Sequence, residues 1–306
     1  MTEASTPTGS FTLGDTEVSD TFAEAFPMRY ARLIITAATK EWAHEAARSA
    51  TGFATSVIGC KCEAAIECPL TRTPDGRPGV SVLLFAMDRE GVGKRVLERV
   101  GQCVMTCPTT ACFDGLPDAE RRVALGSSLR YFGDGFQASK VVSGERFWRI
   151  PVMEGEFLVV ESVGVSTGVG GGNLVIGGAD EARALGAAQA AVDAVRDEGV
   201  ALPFPGGIVR SGSKVGALTS SSMPASTNHQ FAPTLRAQID DSLVPDGVGA
   251  MYEIVIDGMS EDKVREAMRR GLHAAAGAGA ALVTAANFGG GLGEFHFPLT
   301  ELRDPP

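Results

Sequence analysis

The chain of 306 residues has no basic residue before Arg29, no cysteine after Cys112 and no acidic residue between Glu198 and Asp240. Each gap excludes something. Without an early cationic segment leading into an apolar run, the amino terminus does not read as a secretory signal, and a cytoplasmic location is expected. The most apolar run, Ala274 to Ala286, is rich in alanine and glycine and interrupted by Thr284, and it falls short of the roughly 18 residues a membrane span needs. Basic residues are scarce, with 27 Lys and Arg against 37 Asp and Glu and a net charge of −10. With no basic stripe to pair with phosphates, neither nucleic acid nor an anionic membrane surface is an expected partner.

Familiar chemical motifs are also missing. Cys60, Cys62 and Cys68, then Cys103, Cys107 and Cys112, match neither the paired C-x2-C of a zinc ribbon nor a ferredoxin-type cluster. They are expected to be reduced structural thiols, with no metal site. The four histidines show no H-E-x-x-H, and no G-x-S-x-G elbow occurs. Gly207 to Lys214 misses the P-loop pattern by one position, because Ser213 holds the lysine slot and Lys214 the hydroxyl slot. Gly168 to Gly172 leads into a strand, not the helix that a dinucleotide fingerprint requires.

Glycine is plentiful instead. There are 38, of which 24 follow residue 150, and nine of the ten net negative charges also lie there. At 44% hydrophobic and 21% charged, the chain is long enough for two folded units. Both halves read β-α-β-β-α-β. The first places strands at 31–36, 53–58, 80–86 and 103–106 around helices at 40–50 and 92–102. The second places strands at 173–176, 206–209, 251–256 and 281–284 around a helix at 180–198 and one capped by Ser260. A Pro-Asp-Gly turn, Pro74-Asp75-Gly76 and Pro245-Asp246-Gly247, precedes the third strand of each. This order is that of the split βαβ unit. The expected fold class is α+β: duplicated ferredoxin-like lobes with antiparallel sheets and helices on one face, at residues 20–150 and 151–306 behind a loose leader of residues 1–19.

The stretch without acids carries Arg210, Lys214 and Arg236 with Ser211, Ser213, Ser220, Ser221, Ser222, Ser226, Thr227 and Asn228. It reads as a polar surface loop or as a pocket for an anionic, polar ligand. His229 is the one histidine inside it. In the strand Met251 to Asp257, alternation puts Met251, Glu253, Val255 and Asp257 on one face, and aligning the two Pro-Asp-Gly turns sets Val82 opposite Glu253. Glu253 either points to solvent from a half-exposed sheet or lies in a cleft between lobes, where desolvation would suit it to acid–base work. Burial decides.

Several segments resemble one family. In the first half they are Asp20-Thr21-Phe22-Ala23-Glu24-Ala25-Phe26, Ala50-Thr51-Gly52-Phe53, Thr73 to Val80, Arg99 to Thr106 and Phe132-Gly133-Asp134-Gly135. In the second they are Glu154-Gly155-Glu156-Phe157, Pro203 to Val209, Ser213-Lys214-Val215-Gly216, Pro224-Ala225-Ser226-Thr227-Asn228, Tyr252 to Ile256 and Asn287-Phe288-Gly289-Gly290. From about Asp20 to Leu302 the chain resembles the formylmethanofuran:tetrahydromethanopterin formyltransferases. The resemblance implies two ferredoxin-like lobes from a duplication. It also implies transfer of a formyl group between the amine of a methanofuran-type carrier and a ring nitrogen of tetrahydromethanopterin, with no metal and no tightly bound cofactor. Glu253 matches the family's catalytic carboxylate, and Arg210, Lys214, Ser226, Thr227, Asn228 and Asn287 are the implied substrate-binding residues. Backbone N–H groups of glycine-rich loops are candidates for the oxyanion. The implied partners are small-molecule C1 carriers and either further copies of the chain or a multi-subunit formyltransferase/hydrolase complex. In a different reading the chain is a non-catalytic subunit that holds the furan carrier for a partner hydrolase.

Overall fold

In a computed structural model, residues 6–212 and 214–305 are described. Strands β1 (Ser10–Leu13), β2 (Thr16–Ser19) and β3 (Phe22–Thr36) open the chain. Next come α1 (Lys40–Thr51), the one-turn α2 (Val57–Cys60), β4 (Glu63–Leu70), β5 (Gly79–Ala86), α3 (Arg89–Arg99) and β6 (Ala111–Asp114). After these stand β7 (Arg121–Ala124), α4 (Gly126–Leu129), β8 (Ala138–Val142), β9 (Glu145–Val152) and β10 (Gly155–Val160). The remainder holds β11 (Ser162–Gly178), α5 (Glu181–Val195), β12 (Val200–Ala201), the small hairpin of β13 (Lys214–Val215) and β14 (Ala225–Ser226), then β15 (Ala250–Gly258), α6 (Glu261–Gly277), β16 (Leu282–Thr284) and β17 (Phe295–Pro298). The fold is mixed α/β, with mostly antiparallel strand pairing.

The chain forms two compact units. One is residues 28–168, and the other joins the residues up to Pro27 with those from Val169 onward. In the first, β4, β5, β3 and β6 lie side by side in antiparallel pairs. Leu33, Ile35, Val80, Val82 and Leu84 face Ala46, Ala47 and Ala50 of α1 and Val92 and Val96 of α3 in one buried cluster. In the second, β12, β15, β11 and β16 repeat that order. Leu174, Ile176, Ile254 and Ile256 meet Ala188 and Val192 of α5 and Val264 and Leu272 of α6. Side chains on the other parity of these strands lie on the face opposite the helices. That parity positions the site.

The helices start where the residues allow it. Thr39, Asp88, Asp180 and Ser260 each accept a hydrogen bond from an N–H of the first turn, and Glu41, Glu90, Glu181 and Glu261 follow in the positive end of the helix dipole. Both Pro-Asp-Gly turns end on a left-handed glycine, Gly76 at φ 72° and Gly247 at φ 84°. The first is also tied to β3, as Thr36 donates to Asp75 at 2.8 Å and Arg77 Nε donates to the same carboxylate at 2.8 Å. Burial alone would raise the Asp75 carboxyl, but these bonds prevail and hold it below its ordinary value.

Several expectations need correction. Residues 53–58 are not a strand, because Ser56 caps the short helix α2, and the second strand is β4, which includes Cys68. Residues 103 and 104 end a π-helical turn, Val100–Val104, that prolongs α3, residues 105 and 106 follow as a turn, and the fourth strand is β6. The leader expected at residues 1–19 contains the hairpin of β1 and β2, whose second strand pairs in parallel with β16, so Val18 is buried in the core. Residues 1–5 lie outside the described residues. The compact units divide the chain at Pro27/Met28 and Gly168/Val169, a partition by packing that is separate from the expected repeat boundary near residue 150. Finally, Val82 is not the counterpart of Glu253. Val82 faces the helices, whereas Ser81 pairs with Ile34 as Glu253 pairs with Val175, and each lies seven residues before the N-cap of the next helix, Asp88 and Ser260.

Candidate functional site

Glu253 occupies the middle of β15, on the face away from α5 and α6, and is only 4% exposed. Burial therefore removes the solvated alternative. Its neighbours in register are Val175 of β11 and, beyond it, Thr284 of β16. On its other side the main chain of Glu253 exchanges two hydrogen bonds with Val209, at 2.6 and 3.0 Å. Val175, Phe231 and Ala286 form a small apolar cluster on this same face, joined by Leu243 and Met251. Two residues further on, Val255 is buried, and beyond it Asp257, fully buried, accepts from the Gly171 N–H at 3.0 Å.

The Val209 bridge roots the acid-free segment beside Glu253. Arg210 follows it directly and is exposed. The chain then folds back on itself, pairing Lys214 with Ser226 and Val215 with Ala225. Gly212 turns at φ 73° with the Asn228 side chain packed where a β-carbon would stand, and Asn228 N–H donates to Ser211 O at 3.4 Å. Lys214, Ser226 and Asn228 are half-buried and Thr227 is exposed; Ser213 lies outside the described residues. Past the hairpin, Lys214 Nζ is 3.1 Å from His229 Nδ1, and His229 Nε2 is 3.2 Å from Asp241 Oδ2. An ammonium can only donate, so Nδ1 accepts and the ring proton sits on Nε2, directed at Asp241. Gln230 donates to the same carboxylate oxygen at 3.1 Å. The result is a cation anchored by a neutral ring. Arg236 stands apart, bonded to Pro245 O at 2.8 Å and so tied to the second Pro-Asp-Gly turn.

The glycine-rich loop after β16, residues 285–293, is shaped by two buried side chains. Asn173 accepts from Ala286 N–H at 2.7 Å and donates to Ala286 O at 3.0 Å. Glu24, 1% exposed, accepts from Phe288 and Gly290 through Oε2 and from Leu292 and Gly293 through Oε1, at 2.5 to 2.9 Å. Burial by itself would raise the Glu24 carboxyl, but the four backbone N–H bonds outweigh it and hold the group below the usual carboxylate range. The carboxamide of Asn287 donates to Thr21 Oγ1 and Phe22 O and accepts from Gly289 N–H.

The structure thus brings Arg210, Lys214, Ser226, Thr227 and Asn228 onto one segment rooted at the Glu253 strand. Asn287 is on a different loop, where its carboxamide ties that loop to Thr21 and Phe22. The expectation that glycine-rich loops donate N–H groups to an oxyanion does not hold at Phe288, Gly290, Leu292 and Gly293, whose N–H groups point at Glu24. Sequence reading missed Glu24, Asn173 and Asp241. The available signal was a lone acid in an otherwise apolar strand start, Phe22-Ala23-Glu24-Ala25-Phe26. Among the described residues no cluster of three or more His, Cys, Asp or Glu side chains could hold a metal ion. All six cysteines are free, and burial pushes the Cys112 thiol up to about 12. No helix among the described residues is long and apolar enough to cross a membrane.

Two family descriptions together cover most of this chain, from residue 11 to residue 302. That of formylmethanofuran-tetrahydromethanopterin formyltransferase matches residues 11–152, and that of its proximal lobe matches residues 155–302. The chain belongs to this formyltransferase family. The formylmethanofuran–tetrahydromethanopterin formyltransferase of Methylococcus capsulatus is 53% identical over 93% of this chain and 97% of its own length. Among solved structures, the enzyme of Methanosarcina barkeri superposes with a TM-score of 0.90 at 46% identity, over 95% of this chain and all of that one. A chain of the formyltransferase/hydrolase complex of Methylorubrum extorquens, solved with methylofuran, superposes with a TM-score of 0.93 at 48% identity, over 97% of this chain and all of that one. The family segments meet near residues 152–155, close to the division expected from the repeated Pro-Asp-Gly order and away from the boundaries of the compact units.

Proposed function

We propose that this chain transfers a formyl group between the amine of a methanofuran-type carrier and a ring nitrogen of tetrahydromethanopterin, with Glu253 as general acid and base. The observation that carries this reading is a carboxyl group withdrawn from water beside a cationic, hydroxyl-rich segment, in a chain whose relatives are named for this transfer. Attack of the pterin amine on the formamide carbon gives a tetrahedral oxyanion, and its collapse expels an amine that must gain a proton. A carboxyl within reach of both nitrogens takes the proton from the nucleophile and returns it to the leaving group. Both carriers are co-substrates. Arg210, Lys214, Ser226, Thr227 and Asn228 are assigned to carrier binding, with Lys214 as the anchor for an anionic group. Asn287 contributes by holding its loop. The two units are read as copies of one ferredoxin-like plan, supported by the shared strand order second-third-first-fourth in each. By its likeness to the Methylorubrum extorquens chain, this one is assigned to a multi-subunit formyltransferase/hydrolase complex.

The test is to incubate the isolated chain with the formylated furan carrier and the pterin and to follow formyl-pterin formation. Transfer by the chain alone is expected. Tight binding of the furan carrier with no transfer would instead assign it a carrier-holding role for a partner hydrolase. Within the same assay, Lys214→Met is expected to raise KM for the carrier that bears the anionic group by about tenfold, the loss of one charge-assisted contact of roughly 1.4 kcal/mol, and to leave kcat near the parent value. A parent-like KM for both carriers removes Lys214 from the binding site.

A further inference from the structure

Backbone N–H groups converging on one point form a nest that binds anions. In the loop 285–293 such a nest already holds an anion, and it is the chain's own. Glu24 receives two N–H bonds on each carboxylate oxygen, from Phe288, Gly290, Leu292 and Gly293. Among the described residues its bonds come from main-chain N–H groups, so its charge rests on main-chain dipoles. The loop's glycines are what permit the wrap: Gly289 and Gly290 adopt φ 73° and 74°, and a β-carbon on Gly293 would stand 2.4 Å from Ala25 O and 2.8 Å from Glu24 Cγ. The same loop begins one residue after Thr284, which shares a register line with Val175 and Glu253. Its second residue, Ala286, packs with Val175. The conformation of this segment therefore shapes the surface next to Glu253, and the template for that conformation is a single carboxylate on β3.

We propose that Glu24 is a positioning residue for formyl transfer: it sets the loop 285–293 against the Glu253 face and so determines how a carrier seats there, without touching the reacting atoms. The proposal rests on the reading of Glu253 given above. Gln at position 24 keeps the length and shape of the side chain but replaces one acceptor oxygen by an NH2 that faces two N–H donors, so half of the nest is lost while the fold's core is untouched. In Glu24→Gln, with near-ultraviolet circular dichroism confirming the folded fraction, KM for at least one carrier is expected to rise fivefold or more. The pH profile of kcat/KM is expected to keep its shape, because Glu24 exchanges no proton with substrate. A purely structural role would lower the folded fraction and leave KM of the remaining enzyme unchanged, and that result, like parent constants throughout, overturns the proposal. Should Glu24→Gln fail to fold, Gly290→Ala approaches the same loop from its own backbone. It imposes a left-handed conformation on a residue with a β-carbon, which meets the His296 ring at 3.4 Å. The same KM rise is expected there, and unchanged constants are equally decisive against it. If Glu253→Gln is inactive while Glu24→Gln behaves as the parent, the catalytic reading stands and this one falls. If the isolated chain binds its carrier but transfers nothing, the carrier's Kd replaces KM as the readout.

Discussion

Replacing Glu253 by Gln is expected to lower the rate of formyl transfer by about 10²- to 10⁴-fold, the range that a positioned proton-transfer group supplies. Gln fills the same space and the backbone pairing with Val209 and Val175 does not depend on the side chain, so the variant is expected to fold and to bind both carriers with KM values near those of the parent. The loss belongs in kcat, because the proton taken from the attacking amine and given to the departing one is handled only along the reaction path. The measurement is steady-state transfer with each carrier varied in turn. Unchanged kcat would remove Glu253 from the chemistry and leave the site as a binding surface only.

The second large effect falls on stability. Gly178 ends β11 where α5 crosses it, and a β-carbon there would stand 2.4 Å from the backbone nitrogen of Ala184 and 2.8 Å from its Cα. Those atoms belong to a helix turn, not to a side chain that can swing aside, so Gly178→Ala must push α5 off the sheet. Overpacking of this kind costs about 3 kcal/mol, and at 2–4 °C per kcal/mol the melting temperature falls by roughly 6–12 °C. Gly186, in the exposed interior of α5 with nothing near its β-position, supplies the opposite sign. There Gly→Ala is expected to add up to about 1 kcal/mol by raising helix propensity. Thermal melts of the two variants read the difference directly, and equal melting temperatures would show that the close approach at Gly178 is not a constraint.

Most of the regular elements were legible from periodicity and caps. The helices α1, α5 and α6 start at or next to their expected positions because Thr39, Asp180 and Ser260 are capping residues ahead of amphipathic runs. The misreadings cluster where sequence pattern is degenerate. Phe53 to Ile58 is apolar enough for a strand, yet Phe53 stands at φ 49° and Ser56 caps a helical turn. Val82 and Glu253 share a distance from their turns but not a parity, because loop geometry between turn and strand differs by one residue, and one residue reverses a strand's faces. The charge of the second half is resolved in the same way: the acid-free segment is a hairpin rooted at Val209, next to Glu253, one of the two buried acids of β15.

By itself, the sequence determined the repeated element order, the concentration of glycine and acid in the second half, the cationic island and the family, since each of these is written in residue type and spacing. Tertiary structure alone decided that Glu253 is buried, that Lys214 is steadied by His229 and Asp241, and that the glycine-rich loop closes on Glu24 in place of a substrate. The reason is physical. Burial, the partner of a charge and the direction of a backbone N–H depend on segments distant in the chain, such as residues 24 and 288–293, and no local pattern records which of them will meet.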